Sequence, residues 1–444
     1  MTLGLFPRFG RRVLPSGISD GARSLLHGSA WLVISGVITQ GATLLGNLIV
    51  ANVLGVQSYG QDALVQSTVS LLGLLAQLGF GTVISQQVSS SLRSNPDRAS
   101  EIAGFCLALT LLVGVIFAGA LFFGRSFLSA HVFRDTDLRP GLAIAAISLP
   151  WVAAATMQQG LFGGLQRFKD QAVIAALLLP LVIALPAVGA RFGGFEGAAA
   201  GLAIAYFLRF GVGQIVLSRL FQRIGLKFRI GSVRKNMHLV LRMAVPATLS
   251  GILTSLAIWG GQTLLVRGPN GAEVLGMFAA AYTIKTMVMF IPGQSVIALL
   301  PVLSRSHVNP DADDPRRLLW TSAGLSAAVA VALAVPVFFL ASPIMSVFGD
   351  DFLSAAPVLQ LLLLSVPIET VTITIYQDIY SRGRYWTGMF AANVPLSASV
   401  LIAAALLVPD WQAQGLAIAW LIGWSLALVM TLGAVLYATP SRRH

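Results

Sequence analysis

A chain of 444 residues that is 56% hydrophobic and only 10% charged cannot present a water-soluble surface, because soluble domains carry about 25% charged residues. Its 29 Lys and Arg outnumber 17 Asp and Glu for a net charge of +12, but so apolar a chain is no nucleic-acid-binding protein. The length and the mean hydropathy of +0.80 instead accommodate about a dozen spans of roughly 20 residues, with no sizeable soluble domain.

The first residues carry Arg8, Arg11 and Arg12 but no short apolar core followed by a small-residue cleavage site, so the first apolar run reads as a full span. Twelve spans are expected near 28–54, 63–89, 102–124, 141–165, 171–190, 197–218, 243–266, 274–303, 318–341, 355–377, 386–408 and 412–437. On this count 22 of the 29 Lys and Arg fall on one side of the membrane. Five (Arg125, Arg134, Arg139, Arg191 and Arg267) fall on the other, and Arg209 and Lys285 lie inside spans. Positive charge collects on the cytoplasmic side, so both termini are expected there. The densest run, 219–242, holds seven Lys or Arg and no acid. It divides the chain into an N-terminal lobe (1–218, spans 1–6), a basic cytoplasmic connector (219–242) and a C-terminal lobe (243–444, spans 7–12). Cys106, the single cysteine, can form no internal disulfide and reads as a small core hydrophobe.

The halves resemble one another. Span 6 contains Gly201-Leu-Ala-Ile-Ala-Tyr206 and span 12 contains Gly415-Leu-Ala-Ile-Ala-Trp420. The first hairpin of each half is expected to turn at a matching Leu-Gly, Leu54-Gly55 and Leu275-Gly276. Six spans per half is an even number, so the repeats should share one orientation about an axis along the membrane normal. The expected fold is an all-α integral membrane protein of twelve transmembrane helices in two six-helix lobes.

Polar residues recur on single helical faces. Span 1 has Gln40, Thr43 and Asn47; span 2 has Asp62, Gln66, Ser70 and Gln77; span 7 has Ser255, Trp259 and Gln262; span 10 has Ser365, Glu369, Thr372 and Tyr376. Such stripes serve either interhelical hydrogen bonds or a water-lined cavity, and four of them favour a cavity between the halves. Three ionisable residues are expected deep within spans: Arg209, Lys285 and Glu369. Each costs about 2.5–3.5 kcal/mol at the bilayer centre and so needs a partner or water. Two cations against one acid favour an anionic substrate, with Arg209 and Lys285 as contacts and Glu369 as the group whose protonation couples transport to an ion gradient. No GxxxxGK[ST], HExxH or GxSxG pattern occurs and the five histidines are scattered, so neither an enzyme nor a cofactor or metal is expected.

Leu54-Gly55-Val-Gln-Ser-Tyr59-Gly60, Leu78-Gly79-Phe80-Gly81 and Gly164-Leu-Gln-Arg167-Phe168 resemble polysaccharide flippases of the Wzx type. So do Leu275-Gly276-x-Phe278-x-Ala280-Ala281-Tyr282, Leu300-Pro301-x-Leu303-Ser304 and Phe348-Gly349-x-x-Phe352. These flippases share a superfamily with multidrug extruders (MATE) and the lipid II flippase. The resemblance implies two six-helix lobes with spans 1, 2, 7 and 8 lining a central cavity, to which Tyr282 would contribute. It implies a bacterial inner-membrane transporter for an undecaprenyl-diphosphate-linked oligosaccharide in surface polysaccharide biosynthesis, moved by alternating access. A polysaccharide polymerase and a chain-length regulator are the implied partners. The alternative is a proton- or sodium-coupled multidrug extruder. The charge bias predicts that a reporter fused after Arg229 reads cytoplasmic and one fused near Asp350 reads periplasmic; the reverse pattern would overturn the orientation.

Overall fold

A computed structural model describes residues 20–77, 79–94, 96–223, 233–308 and 314–438. Helices follow one another as α1 (Asp20–Gln77), α2 (Phe80–Ser94), α3 (Pro96–Phe127), α4 (Leu138–Gly164), α5 (Phe168–Arg223) and α6 (Val233–Val266). They continue as α7 (Gly271–Val308), α8 (Pro315–Phe339), the short α9 (Ala341–Ser346), α10 (Ala356–Ser381), the single-turn α11 (Tyr385–Gly388) and α12 (Val394–Ala438). Of the basic connector, residues 224–232 fall outside the described residues. Among those described, nine helical stretches are long and apolar enough to cross a bilayer. Helix is the outcome that hydrocarbon imposes, since every backbone N–H and C=O must be satisfied within the segment. Large apolar side chains such as Phe123, Leu325 and Val429 point outward from the bundle, as contact with lipid allows.

Three long helices are broken where the expected spans join. Gly55 (φ 73°), Gly193–Gly194 and Gln412 (φ 47°) have non-helical geometry inside α1, α5 and α12. In α5 and α12 the two legs fold back on each other, and the repeated sequence shows why. A Cβ on Gly201 would stand 2.2 Å from the Leu185 carbonyl oxygen, and one on Gly415 would stand 2.5 Å from that of Leu407. The shared glycine therefore lets each hairpin close to backbone contact. The expected second span, 63–89, is instead interrupted at Gly79 (φ 66°), which separates α1 from α2.

The Leu-Gly correspondence needs correction. Gly55 does break α1, but Gly276 lies within α7 past the turn at 267–270 and is no hinge. Its role is a crossing. A Cβ on Gly276 would stand 2.0 Å from the Val56 carbonyl oxygen, and one on Gly60 would stand 1.9 Å from that of Ala272. The two contacts interchange under a shift of 216 residues, which carries Gly60 to Gly276 and Val56 to Ala272. This is what a pseudo-two-fold axis between α1 and α7 produces.

Around that crossing the two sets of helices are sealed. Tyr59 meets Phe352 edge-on at 5.8 Å, Asn52 Nδ2 donates to the Val347 carbonyl at 2.8 Å, and Arg267 Nε donates to the Val132 carbonyl. Farther down, Trp259 Nε1 donates to Thr68 Oγ1 at 3.0 Å. The apolar core is continuous across both sets at this end, running from Val50, Leu64 and Leu142 to Leu275, Phe348 and Leu416. At the opposite end it divides. One cluster holds Phe80, Phe105, Leu161 and Leu217, and a separate one holds Leu319, Ile375 and Val435. Cys106 is a buried member of the former. Helices α1–α5 thus form one packed unit and α6–α12 another, with a core shared at one end and only local contacts, such as Phe290 with Gly36 and Leu74 with Gly251, toward the other.

Gly60→Ala and Gly276→Ala should each lower the thermal stability of the purified protein by about 1–3 kcal/mol, the usual cost of overpacking. Gly211→Ala, where an added methyl meets nothing within 4 Å, should be neutral or slightly stabilising. Equal melting shifts for all three would refute the crossing as the constraint.

Candidate functional site

Below the sealed end lies a cavity of about 540 Å³. The first leg of α1 lines it from Gly36 to Val50, and the second contributes Asp62 and Gln66. Helix α4 adds Ala155, Gln158, Gln159 and Phe162, and α5 supplies residues from Gln171 to Pro186 on one leg and from Ala198 to Gly213 on the other. Gln294 of α7 is the one contribution from the C-terminal set among the described residues. The cavity therefore belongs to the N-terminal lobe rather than to the seam between lobes. The reason is packing: α6 and α7 close directly onto α1, with Phe290 standing 2.6 Å from where a Gly36 Cβ would lie and Leu74 3.1 Å from that of Gly251.

Of the residues expected to line a cavity, Asn47 and Gln66 do, and so does the expected anion contact Arg209. Gln40 and Gln77 are half-buried on α1 away from the cavity wall. Trp259 is consumed at the lobe seam, bonded to Thr68 and edge-on to Phe133 at 6.0 Å. Gln262 is buried beside it in the sequence of α6, and its Oε1 has no hydrogen-bond partner among the described residues. Tyr282 packs inside the C-terminal lobe, stacked on Phe278 at 5.8 Å and against Trp420 at 6.0 Å.

Lys285 and Glu369 come together, from α7 and α10, as a buried ion pair. The ammonium stands 5.4 Å from the Tyr282 ring centroid and 5.9 Å from that of Trp420, so two aromatic faces complete its enclosure. This pair does not line the cavity. The expected pairing of Lys285 with Arg209 as a shared anion site is therefore replaced by a neutralised pair in one lobe and a cavity-facing guanidinium in the other. Tyr206 lines the cavity with Arg209, and Trp420, the counterpart of Tyr206 in the repeat, faces Lys285.

Glu369 is also not the sole deep acid. Asp62 is only 2% exposed and accepts a hydrogen bond from Gln66 Nε2, while its Oδ1 has no partner among the described residues. Asp378, on α10, is buried against Arg382 at 2.8 Å. Asp62 sat in view on the span 2 stripe, but proximity to an assumed helix end disguised its depth. The glutamines of α4 and α5 are absent from the expected lining, although the Gln158-Gln159 pair inside an apolar run is a legible signal; Gln171, directly after Lys169-Asp170, reads as a helix end. Gln158 Nε2 donates to the Phe210 carbonyl at 3.2 Å and to Gln214 Oε1 at 3.0 Å, binding α4 to α5.

Residues 25–307 match the family model described as polysaccharide biosynthesis protein. The chain belongs to that family. Among curated proteins it is 25% identical over 394 residues to the EPS I polysaccharide export inner membrane protein EpsE of Ralstonia solanacearum, covering 86% of each chain. Among solved structures it superposes on an inward-facing MATE family multidrug resistance transporter with a TM-score of 0.74 at 15% identity, over 90% of this chain and 94% of that one. It also superposes on lipid II flippase MurJ in an inward closed conformation, with a TM-score of 0.73 at 13% identity, over 92% and 87% of the chains. The fold is that of the MOP superfamily.

Removing one member of a buried ion pair costs about 3–5 kcal/mol, because the other is left charged and unpaired. Lys285→Met should therefore destabilise the purified protein by that amount, whereas Lys285→Met combined with Glu369→Leu should recover most of the loss. A double variant no more stable than the single one in thermal unfolding would refute the pairing.

Proposed function

We propose that the protein flips an undecaprenyl-diphosphate-linked oligosaccharide from the inner to the outer leaflet of the bacterial inner membrane. The observation that carries this reading is the cavity itself: one guanidinium, Arg209, set among several side-chain amides and one acid, Asp62, that is already held by Gln66, within the stretch that matches a polysaccharide family. A diphosphate needs a cation, and Arg209 supplies planar donors for it. A hydroxyl-rich headgroup needs amides, and Asn47, Gln66, Gln159 and Gln171 line the same space. The substrate leaves as it entered, and the protein acts as a transporter rather than a catalyst.

The sealed end around Gly60 and Gly276 lies opposite the basic connector, so with both termini cytoplasmic this is the inward-facing state. Alternating access then requires opening the α1–α7 crossing and closing the divided end. The Lys285–Glu369 pair is the coupling candidate: protonating Glu369 would release the ammonium, which changes the balance between the two states. The products would pass to a polysaccharide polymerase and its chain-length regulator. Asp62, an acid in the N-terminal lobe, is the feature that favours the drug-extruder alternative; Arg209 in the same cavity opposes it, because a guanidinium repels cationic drugs.

Deletion of the gene should abolish surface polymer and leave lipid-linked repeat units in the inner leaflet. Losing a charge-assisted hydrogen bond is worth about 1.5–3 kcal/mol, so Arg209→Ala should slow flipping in proteoliposomes by about tenfold or more, with Arg209→Lys milder. Unchanged flipping by the alanine variant would remove Arg209 from the diphosphate site. Glu369→Gln should still bind substrate but lose its dependence on the proton gradient; full activity with undiminished uncoupler sensitivity would place coupling elsewhere.

A further inference from the structure

We infer that Asn52 and Arg267 are a matched pair of gating side chains, each reaching from one lobe to a turn of the other, and that together they hold the sealed end shut. The inference rests on the alternating-access reading above and names two bonds that must break when this end opens. It does not depend on what is carried.

A second internal repeat lies at the seam. Val132-Phe133-Arg134-Asp135 comes after α3, and Val347-Phe348-Gly349-Asp350 comes after α9. The third residue has a positive φ in both turns, 58° at Arg134 and 129° at Gly349. A shift of 215 residues carries one turn onto the other, within one residue of the shift that relates Gly60 to Gly276. The same 215 residues carry Asn52 to Arg267. Asn52 Nδ2 donates to the Val347 carbonyl at 2.8 Å, and Arg267 Nε donates to the Val132 carbonyl. Donor and acceptor exchange lobes together, so this is one clasp made twice about the pseudo-two-fold axis.

Each half of the clasp is built from both sides. The acceptors are carbonyls at the C-terminal end of a short helical segment, Leu128–Phe133 or Ala341–Ser346, where a helix has no N–H left to meet them. On the Val132 side the Asp137 N–H turns instead to Asp135 Oδ1 at 3.0 Å. The Asn52 amide spends its other N–H on the Leu48 carbonyl one turn back, at 2.9 Å, which fixes its direction. Aromatic rings follow the same exchange. Phe133 lies edge-on to Trp259 of α6 at 6.0 Å, and Phe352, just past the second turn, lies edge-on to Tyr59 of α1 at 5.8 Å. Both donors stand where their helices yield: Asn52 three residues before the break at Gly55, and Arg267 in the turn between α6 and α7. Both are exposed, so water can take over each bond as it breaks. A contact of this kind biases a state and still releases it. The two clasps are unequal, because a guanidinium donor makes the stronger, charge-assisted bond.

The test uses the full-length protein in nanodiscs, without substrate, carrying Thr68→Cys. Thr68 is buried at the seam against Trp259, and modification of a buried cysteine proceeds through the open fraction, so its rate tracks that fraction even when opening is rare. Arg267→Met should raise the maleimide reaction rate at position 68 by about tenfold and Asn52→Leu by about threefold, in keeping with a charged and a neutral bond. Arg267→Lys should raise it less than Arg267→Met, since an ammonium still donates to a carbonyl. Cys106, buried in the core of the N-terminal lobe, reports any general loosening and should react no faster in any variant. An unchanged rate at position 68 in both variants, a parallel rise at Cys106, or a lysine variant as fast as methionine would each overturn the inference. Because no lipid-linked substrate is present, failure of the substrate reading would leave these rates untouched.

Discussion

The α1–α7 crossing is the contact on which the rest of the architecture depends. Two helices can approach to backbone distance only where no Cβ intervenes, and Gly60 and Gly276 provide that gap reciprocally. Lipid tails are as apolar as leucine, so association inside a bilayer relies on such close packing rather than on hydrophobic burial. With the crossing made, Tyr59, Phe352 and the Asn52 side chain can reach the other lobe, and the apolar core runs through both. Away from it the lobes have separate cores, and space remains for a cavity. A change of state in this molecule is therefore a question of two glycines and the carbonyls beneath them.

The two lobes handle buried charge in different ways. In the C-terminal lobe Lys285 and Glu369 neutralise each other beneath Tyr282 and Trp420, a closed solution that leaves both side chains buried. In the N-terminal lobe Arg209 and Asp62 both face the cavity, where water or a ligand must complete their hydrogen bonding. The lobes share a sequence pattern, visible in Tyr206 and Trp420 at the ends of matching motifs, yet only the N-terminal one turns its buried charges toward the cavity.

Much of this was legible in the sequence because the bilayer permits so few solutions. Hydropathy located the helices, since a run of about 20 apolar residues in hydrocarbon must be a helix, and the repeated Gly-Leu-Ala-Ile-Ala related the two halves. The charged residues inside spans were also identifiable one by one, as was the need of each for a partner. What the sequence could not supply was which face of each helix meets which neighbour. Trp259 and Gln262 form the same kind of stripe as Asn47 and Gln66, but Trp259 is buried in the lobe seam against Thr68 while Asn47 and Gln66 line the cavity. Lys285 found Glu369, 84 residues away, rather than a substrate, because α7 and α10 pack side by side. The depth of Asp62 and the tie between Gln158 and α5 were likewise decided only by packing. A helical period fixes direction around one helix axis; partner choice is a property of the assembled bundle.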